Sequence, residues 1–170
     1  MTLYPEIESL TICPAESGGE IAEVRELFAE YERSLGFSLC FQSFDRELST
    51  LPGEYGAPAG RLLLAKYSGR SAGCVAFRRI EPEISEMKRL YVRPQFRGQG
   101  LGLCLIRRVI TEARQIGYRL MRLDTVEPAM RQAVRLYRHI GFHQIPAYCP
   151  NPIAGAMYME LDLETAGSDR

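Results

Sequence analysis

The sequence predicts an α/β fold, a mixed sheet flanked by helices in the element order β-α-α-β-β-β-α-β-α-β-β. Three observations carry this expectation. Apolar residues recur at three-and-four spacing in several stretches, and they alternate or run continuously in the shorter segments between. The turn Arg97-Gly98-Gln99-Gly100-Leu101-Gly102 joins a strand directly to a helix, as in a βαβ crossover.

Taken in order, residues 7–13 alternate as an opening strand. Ile21, Val24, Leu27, Phe28, Tyr31 and Leu35 give residues 20–35 the stripe of an amphipathic helix that Gly36 ends. Ser43 is an N-cap candidate for a short helix over 44–50. The glycines and prolines of 51–60 predict an irregular loop. Residues 61–67 and 72–80 form a hairpin across Ser68-Gly69-Arg70-Ser71, and a strand over 85–92 follows a turn near Glu81-Pro82-Glu83. A helix from Gly100 to Ile116 presents Leu101, Leu105, Ile106, Val109, Ile110, Ala113 and Ile116 on one face, with Gly117 at its C′ position. A strand over 119–125, a helix over 129–140 stopped by Gly141, and short strands near 142–145 and 156–163 complete the order. Residues 1–170 are expected to form a single domain, with a disordered tail over 164–170.

Composition narrows the function classes. Of 170 residues, 46% are apolar and 25% charged, ordinary values for a globular protein. The 21 basic and 21 acidic residues cancel, which argues against a general nucleic-acid binder. No apolar run approaches the roughly 18 residues of a membrane span, and the start of the chain lacks a basic segment followed by an apolar one; a cytoplasmic location is the expectation. Five scattered cysteines without a CxxC pair, and only His139 and His143 beside them, make a metal site improbable. The thiols are expected to be reduced and mostly small core residues.

The glycine turn predicts an anion site, since the first amides of a helix have no internal partner and its N-terminus carries partial positive charge. A nucleotide P-loop is disfavoured because Leu103 and Cys104 follow Gly102 where Lys and Ser/Thr would stand. The spacing Gly98, Gly100, Gly102, far from the first strand, disfavours a dinucleotide fingerprint. A coenzyme A pyrophosphate cradle is the third candidate.

At these residues the sequence resembles the GCN5-related N-acetyltransferase (GNAT) superfamily. Arg97-Gly98-Gln99-Gly100-Leu101-Gly102 fits its (Gln/Arg)-x-x-Gly-x-(Gly/Ala) motif. Ala133-Val134-Arg135-Leu136-Tyr137-Arg138-His139-Ile140-Gly141-Phe142 looks like its second hallmark, Ala-x-x-Leu-Tyr-x-x-x-Gly-Phe. The resemblance implies a splayed mixed sheet and acetyl-CoA as co-substrate, with no metal. It implies that the backbone of Leu90, Tyr91 and Val92 pairs with the pantetheine arm, and that Arg97, Gly98, Gln99, Gly100, Leu101, Gly102 and Leu103 hold the pyrophosphate. Arg97 is read as a phosphate contact or as a solvated side chain.

By the same resemblance Tyr137 is the general acid for the leaving thiolate. Glu86 is the candidate base, taken to face the same side of its strand as Leu90 because it lies four residues earlier. An ion pair of Glu86 with Arg119 or Lys88 is the structural alternative. Met130 stands where the second motif usually has Asn. A covalent route through Cys104 or Cys149 is disfavoured by the absence of a neighbouring base. The acceptor cleft is expected to use Phe37, Phe41, Gln42, Tyr148 and Asn151, with Arg78 and Asp124 as charged candidates.

The expected function is therefore acetyl transfer to a primary amine of a small molecule or amino-acid-like acceptor, directly in a ternary complex. The expected partners include no nucleic acid and no membrane, and a homodimer is left open. A coenzyme A-binding sensor or interaction module without catalysis, or a peptide or protein N-acetyltransferase, are the alternatives.

Overall fold

The computed structural model describes residues 9–166. Strands β1 (Leu10–Pro14), β2 (Arg61–Tyr67), β3 (Arg70–Glu81), β4 (Ile84–Val92), β5 (Leu120–Val126), β6 (His143–Ile145) and β7 (Ala156–Asp162) combine with helices α1 (Gly18–Leu35), α2 (Phe44–Thr50), α3 (Leu101–Ile116) and α4 (Arg131–Ile140) in the predicted order. The sheet runs β1-β2-β3-β4-β5-β7-β6. Only β4 and β5 pair in parallel, as the crossover through α3 requires.

Both faces of the sheet are covered, so the inner strands read as continuous apolar runs. Leu62, Leu64, Cys74 and Ala76 pack under α1 and α2 against Val24, Leu27, Phe28 and Phe44. The alternate residues Leu63, Ala65, Val75 and Phe77 pack on the opposite face against Leu105, Ile106, Val109 of α3 and Val134 of α4.

Several boundaries differ from the sequence expectation for identifiable reasons. Helix α1 starts at Gly18 because Ser17 and Glu20 form a reciprocal capping box. Ser43 does precede α2, but it makes no side-chain cap: it also closes the 3-10 turn Cys40–Gln42, and its φ of 56° turns the side chain away. The β2–β3 turn is tighter than expected, with Ser68 and Gly69 both left-handed and Arg70 already in the strand. Residues 7 and 8 of the opening strand and 167–170 of the tail lie outside the described residues. Glu164 and Thr165, expected to be disordered, accept a turn instead, their amides donating to Asp162 Oδ1.

The feature that most shapes the site is a β-bulge in β4. Ala76 pairs with Lys88 and Cys74 with Tyr91, so Val75 faces both Arg89 and Leu90. Arg89 takes a left-handed φ of 61°, unfavourable for a residue with a side chain. Its side chain supplies the compensation: Nε and Nη2 donate to Glu47 at 2.8 and 3.2 Å, Nη1 donates to Gln42 at 2.9 Å, and the guanidinium lies over the Phe44 ring at 5.1 Å. The Arg89 carbonyl accepts from the buried Cys74 thiol. Next to the bulge the strands approach so closely that a Cβ on Gly73 would lie 2.5 Å from the Tyr91 carbonyl oxygen.

The bulge corrects one inference from sequence. Glu86 and Leu90 do not share a face, because the extra residue reverses the alternation between them. Met87 and Leu90 pack toward α3, whereas Tyr91 packs toward α1.

Removing Glu47 leaves Arg89 as a buried cation without its carboxylate, held only by the Gln42 carbonyl and the Phe44 ring. Glu47→Ala is expected to cost about 3 kcal/mol or more, read as a lowered urea midpoint with an unchanged slope.

Candidate active site

Strand β4 pairs with β5 only at Ile84↔Leu120, Ser85↔Met121 and Glu86↔Arg122. Beyond that point the two strands diverge, and from Met87 onward β4 has no strand partner on that side. The resulting notch opens a cavity lined by β4 (Met87 to Leu90), β5 (Leu123 to Val126), Tyr137 of α4 and residues of the α1–α2 connection.

At the C-terminal end of β4 the chain passes through Pro94–Phe96 into the glycine turn. Gly98 and Gly100 adopt φ of 76° and 84°, and Gly98 has open space where a Cβ would be. Gly100 caps α3 without a side-chain hydrogen bond, and the first turn of α3 contains no acidic residue. The amides of Leu101, Gly102 and Leu103 have no backbone acceptor among the described residues; the first bond is Cys104 N to Gly100 O. This is a backbone cradle open to an anion. Arg97 is exposed; its Nε donates to the Val92 carbonyl at 2.8 Å and its guanidinium lies 5.8 Å from the Tyr91 ring centre.

Tyr137 enters the cavity from the α3–α4 face. Its ring is 4% exposed and packs on Phe142. Its hydroxyl has no hydrogen-bond partner among the described residues, where no fully buried side-chain polar atom is left unpartnered. The hydroxyl therefore opens onto the cavity. Burial, with the Tyr31 hydroxyl and the Asp124 carboxylate nearby, raises its pKa well above that of a free phenol. Tyr31, across the cavity, is pushed up to about 12, chiefly by burial. Met130 also lines the cavity; its sulfur receives the Thr125 hydroxyl at 3.4 Å and lies 3.9 Å from that of Tyr31.

From the α1–α2 face comes a charged cluster. Lys88 Nζ donates to Asp124 Oδ1 at 3.0 Å and lies 3.7 Å from Glu86 Oε1. Glu86 Oε1 accepts from Arg78 Nε at 3.1 Å and Oε2 from the Tyr148 hydroxyl at 2.7 Å. Asp124 Oδ2 accepts from Gln42 at 3.1 Å and from Asn151 at 3.0 Å. Burial works to raise the Asp124 pKa, but the Lys88 ammonium, Asn151 and Arg89 outweigh it and hold the carboxyl below its usual range.

The candidates Gln42, Asn151, Phe37 and Phe41 line this cavity, and Tyr148 reaches the cluster through Glu86. Glu86 itself is 2% exposed, with both oxygens engaged, and does not line the cavity. Of its two expected ion-pair partners, Lys88 is present, while Arg119 pairs with Glu83 and Glu164. Sequence reading missed Lys88 and Arg89; two basic residues inside the apolar segment SEMKRLYV, beside the glycine motif, were the available signal.

Glu86, Asp124 and the Cys149 sulfur lie within 4.8 Å of one another, but Lys88, Arg78, Tyr148, Gln42 and Asn151 already occupy the carboxylates. The Cys149 thiol is pushed up by burial and then by those carboxylates, and the Cys104 thiol by burial. Both are therefore poor nucleophiles. All five cysteines are free, and no helix among the described residues is long and apolar enough to cross a membrane.

A sheet splayed beside a helix N-terminus, with a tyrosine and a carboxylate cluster meeting in the gap, defines an acyltransferase-type architecture. A sequence model of the acetyltransferase (GNAT) family matches residues 21–142. The uncharacterized N-acetyltransferase C1271.07c of Schizosaccharomyces pombe is 37% identical over 157 residues, covering 91% of this chain and 96% of its own. A putative acyl-CoA N-acyltransferase from Klebsiella pneumoniae superposes with a TM-score of 0.69 at 29% identity, over 91% of this chain and 97% of that one. YncA, a putative acetyltransferase of Salmonella typhimurium solved with acetyl-CoA, gives 0.68 at 20% identity, over 96% and 99% of the two chains. The chain belongs to the GNAT acetyltransferase family and is an acyltransferase.

Asp124's lowered pKa contributes stability that is present above the unfolded-state value of about 3.9 and is lost as pH falls through the lower folded value. Asp124→Asn is expected to be less stable than the wild type at about pH 6, with the gap narrowing on acidification below about pH 4. Urea midpoints measured across that range check this.

Proposed function

We propose that the protein transfers the acetyl group of acetyl-CoA directly to the primary amine of a small molecule or amino-acid-like acceptor. The observation that carries the reading is the notch: an unpaired β4 edge leads from the open amides of α3 to the free hydroxyl of Tyr137. These residues suit coenzyme A. The amides of Gly98 to Leu103 would hold its pyrophosphate, with Gly98 and Gly100 allowing close approach. The backbone of Leu90 to Val92 would pair with the pantetheine amides as an added strand. Arg97, tied to Val92, would brace this junction. Bound there, acetyl-CoA supplies an activated thioester.

Tyr137 acts as the general acid. Its raised pKa keeps the proton on the phenol at neutral pH, ready for the leaving sulfur. An alkyl ammonium, with a pKa near 10.4, must lose a proton before it attacks. The carboxylate cluster takes it, with Glu86 as the base reached through Asp124 and Lys88. The protonated thiols of Cys104 and Cys149 support direct transfer over a covalent route. The five free cysteines support a cytoplasmic setting. One observation favours a binding module instead: Met130 stands where the second motif usually has Asn. Acetyl-CoA binding without thiol release across amines, amino acids and peptides would establish that alternative.

Acetyl-CoA should raise the melting temperature by mass action; no shift at millimolar concentration overturns the reading. Tyr137→Phe should lower kcat about ten-fold or more, and wild-type turnover should show no loss from this tyrosine up to about pH 10. Glu86→Gln should lower kcat/KM about ten-fold or more; an unchanged kcat/KM transfers the base role to Asp124.

A further inference from the structure

The identity of the acceptor can be narrowed from the charges at the cavity wall, on the acetyltransferase reading above. Three non-tyrosine ionisable side chains line the cavity: Lys88, Arg89 and Asp124. Arg89 is already held by Glu47 and Gln42 in supporting the bulge. Glu86 lies behind, closed by Arg78 and Tyr148. Lys88 and Asp124 remain, facing each other at 3.0 Å with side chains 8% and 3% exposed. Leu35, Phe37, Leu39 and Phe41 form an apolar wall beside them.

We propose that the Lys88–Asp124 pair is the acceptor's receptor, and that the acceptor is a free α-amino acid with an apolar side chain. Its ammonium replaces Lys88 on Asp124, its carboxylate replaces Asp124 on Lys88, and its side chain lies on the phenylalanine wall.

Charge balance decides against simpler acceptors. An ammonium entering alone brings a second positive charge beside Lys88, and a carboxylate entering alone meets Asp124; both are costly where the pair is nearly removed from water. A zwitterion adds no net charge, and each member of the pair exchanges one partner for another. The donor count agrees. An ammonium has three N–H donors, and once Asp124 is displaced Glu86 engages at most one on Lys88, leaving two for the incoming carboxylate. The amides of Gln42 and Asn151 fix the Asp124 carboxylate in place.

The orientation follows from Tyr137. Asp124 and Tyr137 share the cavity closely enough for the carboxylate to act on the phenol's pKa, so an amine held by Asp124 faces the proposed acid. One ammonium proton leaves through Asp124 to the proposed base Glu86 and from there to water. The freed nitrogen lone pair forms the N–C bond, the C–S bond breaks, and Tyr137 protonates the sulfur. A second proton, lost as the nitrogen becomes an amide, restores the Tyr137 hydroxyl. The product nitrogen is neutral and has no claim on Asp124, so the ion pair re-forms and releases the N-acetyl amino acid.

The test compares thiol release by the wild-type enzyme with leucine, leucinamide and isoamylamine, and with phenylalanine, phenylalaninamide and phenethylamine. The free acids should exceed both analogues about 100-fold in kcat/KM. Lys88→Met should reduce that ratio to about five-fold or less by weakening the acids alone, and Asp124→Asn should impair every acceptor. Calorimetry with coenzyme A-loaded Tyr137→Phe should detect leucine binding and no isoamylamine binding. Equal or better use of the amides or amines by the wild type overturns the zwitterion assignment and leaves the acetyltransferase reading intact. Retained acid preference in Lys88→Met removes Lys88 from the receptor, and a polar amino acid outperforming leucine and phenylalanine overturns the apolar side-chain assignment. Absence of thiol release with every acceptor, while acetyl-CoA still shifts the melting temperature, overturns this inference and the catalytic reading together.

Discussion

The left-handed turn of the chain at Arg89 is the constraint on which the rest of the site depends. A regular β4 would keep one alternation from Ile84 to Val92. The extra residue shifts the faces within the strand, so that Lys88 and Arg89 both point toward α1 and α2 while Leu90 turns toward α3. Holding a non-glycine residue in that conformation requires compensation. Glu47, Gln42, the Phe44 ring and the Cys74 thiol provide it from three separate segments. The bulge thus links the short helix α2 to the strand that borders the notch.

Above the bulge the notch joins the two faces of the sheet. Tyr137 and the open amides of α3 belong to one face; Lys88, Asp124, Gln42 and Asn151 belong to the other. A sheet fully paired at this point would keep them apart. Because β4 and β5 part after Glu86 and Arg122, side chains from opposite faces line one cavity. The proposed division of labour, donor from one side and acceptor from the other, follows from that opening. The buried charges fit the same geometry: every carboxylate in the cluster has a cation or amide partner, which is the condition for keeping such groups out of water.

Much of this was legible in the chain. The helix stripes, the terminal glycines and the glycine turn gave the elements and their order, because periodicity and left-handed conformations are local properties of a few residues. Gln42, Asn151, Phe37 and Phe41 were expected near the cleft by resemblance and do line the cavity. Less legible were the Ser17–Glu20 capping box, which starts α1 before the apolar stripe begins, and the roles of Lys88 and Arg89. In sequence these two are ordinary charges in a strand; their burial depends on partners at positions 47, 86 and 124, contributed by three different elements.

By itself, then, the sequence determined the α/β order and the glycine turn that opens α3, since each rests on spacing along a single segment, and its resemblance to a family motif singled out Tyr137. Only the tertiary structure decided which face Glu86 presents, that its oxygens are engaged by Arg78 and Tyr148, and that Lys88 and Asp124 confront each other at the cavity wall. The physical reason is the bulge. Period-two alternation can be counted from sequence, but one inserted residue reverses it, and whether a strand takes that insertion is set by the side chains of other elements that hold it.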